Sequence, residues 1–450
     1  MAQRLTKIDT IGLGFMTFAF FLGAGNIIFP PLEGQHAGSN VLFTMIGFLI
    51  TAVGLPLISI IAVARAGGGL PSMTTDLPKG TGTFASVLLF IIIGPAFAAP
   101  RTGLVAYEMA VKPLWSTSEN YFTVFGAQLD MNQAIVTSLF FLVTLAFSWS
   151  RGKLIDNIGK ILTPILFLLL VGLAIGVVVA PQGNVTAPID RYQDMAFSNG
   201  FLAGYNTMDT FAALMFGILL VDILKGKGIT EPKACFKYLT IAGIIAATGL
   251  AFVYISLFWL GATSSTLVPQ AENGVVVLTA YVYALFGVSG QWILSCVVLL
   301  ACLTTAVGLV SACSDYFSTL TPLRYRHWVV VLSIICAIVA NVGLNRLISL
   351  SIPILLALYP LAIVLVILTF IRQWLPNPKW GFRLVMFVAL LCSLVDGIRG
   401  AGLESIIIFK SLLDWQIINM PLVAEGMAWV LPSFIAIIVV FFLPKRQRTR

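Results

Sequence analysis

The sequence predicts an all-α polytopic membrane protein of about 12 transmembrane helices, built as an inverted five-plus-five repeat with broken helices 1 and 6. Three observations predict it. Hydrophobic residues make up 59% of the 450 residues and charged residues only 10%, with a mean hydropathy of +1.00; a domain facing water needs far more polar surface. Apolar runs of roughly 18 residues or more recur along the whole chain, each able to cross a ~30 Å hydrocarbon core, and the alternating pattern of a β-barrel is missing. The first and sixth runs are each interrupted near the middle by a similar glycine-containing polar stretch.

Windowed hydropathy places the spans at 9–30, 41–64, 83–109, 133–149, 157–180, 195–222, 236–262, 289–317, 327–344, 348–371, 383–399 and 423–443. Segment 274–288, "GVVVLTAYVYALFGV", is apolar but too short to span, and reads as an interfacial or re-entrant helix in an external loop. The first run passes from "MAQRLTKID" straight into polar-broken helix, so no cleavable leader is expected. There is no soluble domain and no low-complexity linker.

The basic residues test this count. Alternate loops hold Arg4 and Lys7; Arg65 and Lys79; Arg151, Lys153 and Lys160; Lys225, Lys227, Lys233 and Lys237; Arg324 and Arg326; Arg372, Lys379 and Arg383; and Lys445, Arg446, Arg448 and Arg450. The other loops and span ends hold Lys112, Arg191, Arg346, Arg399 and Lys410. This asymmetry, about twenty against about five, places both termini in the cytoplasm. The net charge of +8 is thus a topology signal, and no nucleic-acid partner is expected. The six cysteines lie mostly in apolar runs without a CxxC pair and read as small packing residues. His36 and His327 lie at opposite membrane faces, and HExxH, P-loop and strand-borne GxGxxG motifs are missing, which disfavours a membrane enzyme or an ATP-driven pump.

The interruption in span 1 is "FLGAGNIIFPP", Phe21 to Pro31, and that in span 6 is "FLAGYNTMDTF", Phe201 to Phe211. Five spans separate them, so they run in opposite directions, as in an inverted repeat. The chain divides accordingly into a first repeat (9–180), a second (195–371) and two further helices (383–443). Backbone facing lipid must stay hydrogen-bonded, so an unwound helix is tolerated only where it lines a cavity or meets a ligand. Its carbonyl end suits a cation and its N–H end a carboxylate. The alternative for Gly23 and Gly25 is close helix packing, but packing does not call for Asn26 or Pro30. The break in span 6 offers Gly204, Tyr205, Asn206, Thr207, Met208 and Asp209 as substrate-binding candidates. Asp209 either binds a cation or substrate ammonium or caps the second half-helix.

Several stretches together resemble the bacterial branched-chain amino acid–sodium symporters of the BrnQ type: "GFMTFAFFLGAGNIIFPP", "GFLITAVGLPLISIIA", "GPAFAAPRT", "AFSNGFLAGYNTMDT", "ACLTTAVGLVSAC" and "SIPILLALYP". The resemblance covers essentially the whole chain. It implies import of leucine, isoleucine and valine across the bacterial inner membrane with co-transported sodium, by alternating access. It also implies that backbone amides of Ala24 and Gly25 take the substrate carboxylate, with Asn26 beside ion or substrate. Ala301, Thr304 and Thr305 resemble the sodium-binding A-x-x-T-[ST] of the wider group, with partner carbonyls from about Ala19 and Leu22. A threonine in a helix also often bonds its own i−4 carbonyl. The partners expected are the amino acid, sodium and lipid, with a monomer as the working unit.

Arg101, inside span 3 toward its outer end, is a gating or ion-pair candidate, because an arginine within the bilayer is costly unless paired or hydrated. Glu108, seven residues on, is its possible partner, and snorkelling to the outer headgroups is the alternative. Phe15, Phe18, Tyr205, Met208 and Phe211 are candidates for an apolar substrate pocket, and Pro95, Pro100, Pro353 and Pro360 for bends. Proton coupling through Asp209 is the alternative of the same class; a channel or a membrane enzyme is the rival of another class.

Overall fold

The computed structural model describes residues 5–67, 69–114, 121–124, 127–150, 160–403 and 407–442. Arg4, Arg151, Lys153 and the four basic residues after 443, all part of the charge asymmetry, lie outside the described residues, as do the first residues of the expected span 157–180.

Span 1 is two helices, α1 (Lys7–Phe21) and α2 (Ala24–Ala37). Thr6 caps α1, accepting the Asp9 N–H at 3.0 Å. Gly38, at φ +49°, turns the chain back into α3 (Val41–Leu49) and α4 (Leu55–Ala66), which a π-helical turn joins into span 2. The short α5 (Leu70–Met73) leads to span 3, formed by α6 (Thr81–Ile91) and α7 (Ala98–Val105), with irregular backbone at Gly94–Phe97 beside Pro95. A two-stranded antiparallel hairpin, β1 (Tyr121–Val124) and β2 (Ala127–Asp130), precedes α8 (Met131–Ser148); the sequence reading contained no strand here. Then follow α9 (Thr163–Val179), the broken span 6 of α10 (Ala196–Ala203) and α11 (Asp209–Gly226), and α12 (Pro232–Ala262).

The expected short helix at 274–288 forms the first part of α13 (Gly274–Leu320) and is separated from span 8 by a non-helical kink at Gly287, φ +60° and ψ −146°. Asn273 caps it, accepting the Val275 N–H at 3.0 Å. The chain closes with α14 (Tyr325–Val339), α15 (Leu344–Ile371), α16 (Pro378–Gly400), α17 (Ile407–Asn419) and α18 (Val430–Phe441). Pro353 and Pro360 lie inside α15, which runs on as one helix through both. α17 was not expected. α18 has only 12 residues, about 18 Å of helix, so the twelfth expected span is shorter than the 423–443 read from the sequence.

Ten helical runs among the described residues are long and apolar enough to cross a membrane, and the chain is a multi-pass membrane protein. One of them, Ala24–Ala66, holds 43 residues, about twice what one crossing needs, because it includes the turn at Gly38.

Contacts at the two ends agree with alternating loops. Asp9 bonds Lys160 at 2.8 Å and Lys227 at 3.3 Å, which gathers the starts of spans 1 and 5 and the end of span 6. At the other end Tyr192 donates to Glu33 at 2.6 Å, Ser39 N–H to Thr186 O at 2.9 Å, and Gln35 to Ser264 at 2.9 Å.

The repeat shows in the packing. α1 and α2 both lie along α12, while α10 lies along α3 and α11 along α4. Spans 1 and 6 thus exchange roles against spans 7 and 2, as a five-plus-five repeat requires. The approaches are close because glycine stands at the crossings. A Cβ on Gly261 would meet Pro31 O at 2.1 Å, and one on Gly200 would meet Thr44 O at 1.9 Å.

Candidate functional site

The two breaks face one another. At the first, Leu22 (φ −70°, ψ 78°) makes a tight turn in which Gly23 N–H donates to Phe21 O at 2.7 Å. Gly23 N–H also donates to Asn26 Oδ1 at 3.1 Å. That N–H is the regular i+4 partner of Ala19 O, so the carbonyl is released. Thr305 Oγ1, from α13, donates to Ala19 O at 2.9 Å and to Leu22 O at 3.1 Å. Thr304 Oγ1 reaches Ala19 O at 3.3 Å and Ala301 O at 3.1 Å. The five residues singled out in the sequence therefore meet in one buried cluster of neutral oxygens. Such a set, hard and uncharged, suits a small cation of the alkali type better than a transition metal. Gly23 is needed for the approach, since a Cβ there would lie 2.9 Å from Thr305 Cγ2. Thr304 keeps a bond within its own helix, to Ala301 O three residues back, whereas Thr305 bonds across to α1.

The second break is a 3-10 turn, Gly204–Thr207, followed by Met208 at φ +62°. A left-handed methionine is uncommon and costs about 1 kcal/mol or more, so surrounding contacts must hold it. It delivers Asp209 as the first residue of α11, only 1% exposed. Asp209 does not cap its helix by its side chain. Its Oδ2 accepts from Asn26 Nδ2 at 2.6 Å and from Tyr254 OH at 2.9 Å, and Asn26 also bonds Tyr254. Asn26 thus ties the two breaks together: its oxygen holds the turn in span 1 and its nitrogen holds the carboxylate of span 6. Thr207 Oγ1 donates to Gly204 O at 2.9 Å, which closes the turn. Asn206 takes part through its carbonyl, which accepts from Arg101 Nη1 at 2.9 Å.

A small cavity lies between the breaks, bordered by Ala24, Gly25, Asn26, Thr207, Met208, Asp209, Arg101 and Thr305, with Phe20, Phe21, Ile93 and Leu309 as apolar wall. Of the five residues expected in an apolar pocket, only Met208 borders it. Phe15 and Phe18 point to Phe167 at ring distances of 6.0 and 5.8 Å. Helical periodicity explains this: with Ala19 turned to α13, Phe18 faces about 100° away and Phe20 and Phe21 take the cavity side. Tyr205 and Phe211 stack instead on Tyr359, at 4.3 and 4.6 Å.

The expected pairing of Arg101 with Glu108 does not form. Glu108 bonds Lys112 at 3.2 Å, one turn on. The π-helical segment Ala106–Val111 shifts the face on which Glu108 sits, so a seven-residue spacing no longer aligns the two. Snorkelling is excluded too, because Arg101 is 3% exposed and aimed at the break in span 6. Sequence reasoning missed Tyr254 and Tyr359. Tyr359 lies in the quoted "SIPILLALYP" and holds the Thr210 N–H at 3.1 Å. Tyr254 carries no local signal, since a tyrosine in an apolar helix reads as packing.

Comparison with known proteins agrees with this architecture. Residues 6–447 match the family model for branched-chain amino acid transport proteins. The chain is 44% identical over 439 residues to the branched-chain amino acid transport system 2 carrier protein of Pseudomonas aeruginosa, covering 97% of this chain and 96% of that one. It is 39% identical to the branched-chain amino acid permease BrnQ of Escherichia coli K12, covering 98% and 96%, and 39% identical to the permease BraB of Bacillus subtilis, covering 98% and 97%. Among solved structures, that of MhsT in complex with L-phenylalanine superposes with a TM-score of 0.57 at 16% identity, covering 98% of this chain and 99% of that one; the likeness supports the five-plus-five inverted-repeat fold. A membrane protein with two facing broken helices, matched from end to end by permeases and carriers, is a transporter and not an enzyme, and the chain belongs to the branched-chain amino acid transport protein family.

Proposed function

We propose that the protein is a secondary active symporter that imports leucine, isoleucine and valine with sodium. The observation that carries the sodium reading is the convergence of Thr304 Oγ1 and Thr305 Oγ1 on Ala19 O and Leu22 O at the end of α1, with Ala301 one turn back on α13. Each threonine hydroxyl can rotate to offer a lone pair, and the carbonyl end of the half-helix adds partial negative charge. The substrate's place is the cavity between the breaks, with its carboxylate toward Ala24 and Gly25, its ammonium toward Asp209, and its side chain against Phe20, Phe21 and Met208. The driving force is sufficient. One charge entering through ~100 mV supplies about 2.3 kcal/mol, and a tenfold sodium gradient supplies about 1.4 kcal/mol more. Together they support accumulation of several hundredfold.

A second reading has its own observation. Asp209 is buried with only neutral hydrogen-bond donors, Asn26 and Tyr254, and a carboxylate in that setting can carry the coupling proton. Uptake of labelled leucine into proteoliposomes separates the two. The sodium reading expects concentrative uptake that needs an inward sodium gradient and persists without a pH gradient. Uptake driven by a proton gradient in sodium-free medium would replace it by the second reading, and no concentrative uptake under either gradient would remove both. The basic-residue asymmetry supports both termini being cytoplasmic in a bacterial inner membrane; a C-terminal reporter active only outside the cytoplasm is expected to stay silent.

A further inference from the structure

We infer that Arg101 is the receptor for the substrate's carboxylate, so that the site recognises a whole zwitterion through one fixed charge of each sign. The inference rests on the transport reading above.

Arg101 comes from α7, the second half of span 3, and reaches the cavity from outside both broken helices. Its guanidinium has five N–H donors in a planar fork. Nη1 gives one to Asn206 O at 2.9 Å, while buried Nε finds no acceptor. The group packs over the Phe29 ring, 5.5 Å from its centroid. It makes no ion pair within 4.0 Å among the described residues. Nη2 stands against the start of α2, where a Cβ on Gly25 would lie 2.6 Å away. A buried, under-bonded arginine is expensive to keep, and the shape of its fork matches a carboxylate in two-point contact.

The first turn of α2, whose Ala24 and Gly25 border the same cavity, has N–H groups without intrahelical partners, and a helix start of this kind also favours an anion. One end of the cavity is therefore positive, from Arg101 and the start of α2. The other end is negative, from Asp209, which Asn26 and Tyr254 hold in position. A neutral amino acid laid across it pairs carboxylate with Arg101 and ammonium with Asp209, and the filled site has no net charge. Lysine or glutamate leaves an extra charge in a closed space with no partner. The cavity volume, about 20 Å³, has room for about one water-sized molecule, so Arg101 and the apolar wall of Phe20, Phe21 and Met208 must move apart as the amino acid enters. The carboxylate then supplies the acceptors that Arg101 lacks.

The test compares leucine with leucinamide, which keeps the side chain and the amine and replaces the carboxylate by a neutral amide. Inhibition of labelled leucine uptake is titrated with each in proteoliposomes holding the wild type or Arg101→Met. Wild type is expected to prefer leucine over leucinamide at least a hundredfold. Arg101→Met, which keeps the packing on Phe29, is expected to bring the ratio below about tenfold. An unchanged ratio, however weak the uptake, overturns the inference, because an arginine that only braced Asn206 would weaken both ligands alike. If Arg101→Met does not insert, the same ratio is measured on Arg101→Lys and Arg101→Gln, which retain a donor for Asn206; a ratio as high as in wild type in both overturns it equally. Wild type that concentrates no leucine under any ion gradient removes the transport reading and this inference together, whereas uptake with an unchanged ratio removes this inference alone.

Discussion

At Leu22–Gly23 the chain unwinds through one tight turn that carries no charge, whereas at Gly204–Met208 it unwinds through a longer 3-10 turn that ends in a left-handed methionine and a buried carboxylate. The two breaks hold equivalent places in the two repeats, yet their released groups meet different partners. The carbonyls of the first receive hydroxyls from Thr304 and Thr305 on α13. The Asn206 carbonyl of the second receives a guanidinium from α7. A repeat fixes where backbone can open; the helices packed beside each opening fix which charge it accepts. The glycine requirement differs in the same sense. Gly23 and Gly25 are there because Thr305 and Arg101 come within contact of them, and Gly204 because Thr51 Oγ1 would lie 1.9 Å from a Cβ at that position.

The sharpest way to break the comparison is to fill the first opening. Gly25→Val puts a branched side chain where Arg101 Nη2 and Asn206 O already stand, at 2.6 and 3.2 Å from a Cβ. Leucine uptake is expected to fall more than a hundredfold with normal membrane insertion; uptake with unchanged rate and half-saturation would show that the opening is not where substrate binds.

Next in size is the charge of the second opening. Asp209→Asn keeps the shape and the reach to Asn26 and Tyr254 but loses a charge-assisted acceptor, about 1.5–3 kcal/mol. Initial rates of leucine uptake at low substrate should drop about ten- to a hundredfold. A variant with wild-type rates would assign Asp209 to packing alone.

The oxygen cluster answers to a different variable. Thr305→Val keeps the volume and removes the hydroxyl, and it is expected to raise the sodium concentration for half-maximal uptake severalfold, while Thr305→Ser largely restores it. If the sodium titration is the same in Thr304→Val and Thr305→Val, the cluster only packs and the coupling ion binds elsewhere.

Smallest is the surface pair that stood in for the expected Arg101–Glu108 bridge. Glu108 and Lys112 are partly exposed and one helical turn apart, a geometry worth about 0.3–0.5 kcal/mol. Glu108→Gln should leave leucine uptake within about twofold in a simple rate assay; a loss of tenfold would mean that Glu108 serves the site after all.

Hydropathy and charge by themselves determined the class, the multi-pass character and most of the helices, because the bilayer imposes the same demand on every span: about 20 apolar residues with all backbone groups bonded internally. They also located both breaks, since glycine, asparagine and aspartate in mid-span are costly unless they line a site. The threonines of span 8 and the carbonyls of span 1 came from motif resemblance, and the fold brings them within hydrogen-bond distance. Other features depended on packing between distant segments. Which aromatics face the cavity was decided by the rotation of α1 against α9 and α13, and Phe15 and Phe18 turned away. The partner of Arg101 was decided by a π-turn that a seven-residue spacing does not reveal. Tyr254, 45 residues from Asp209 along the chain, joins it only because α12 packs against α2 and α11. Spans can be counted from local composition because burial in lipid is a local requirement. The partners of a buried polar atom cannot, because any donor or acceptor that the fold brings within about 3 Å will satisfy it.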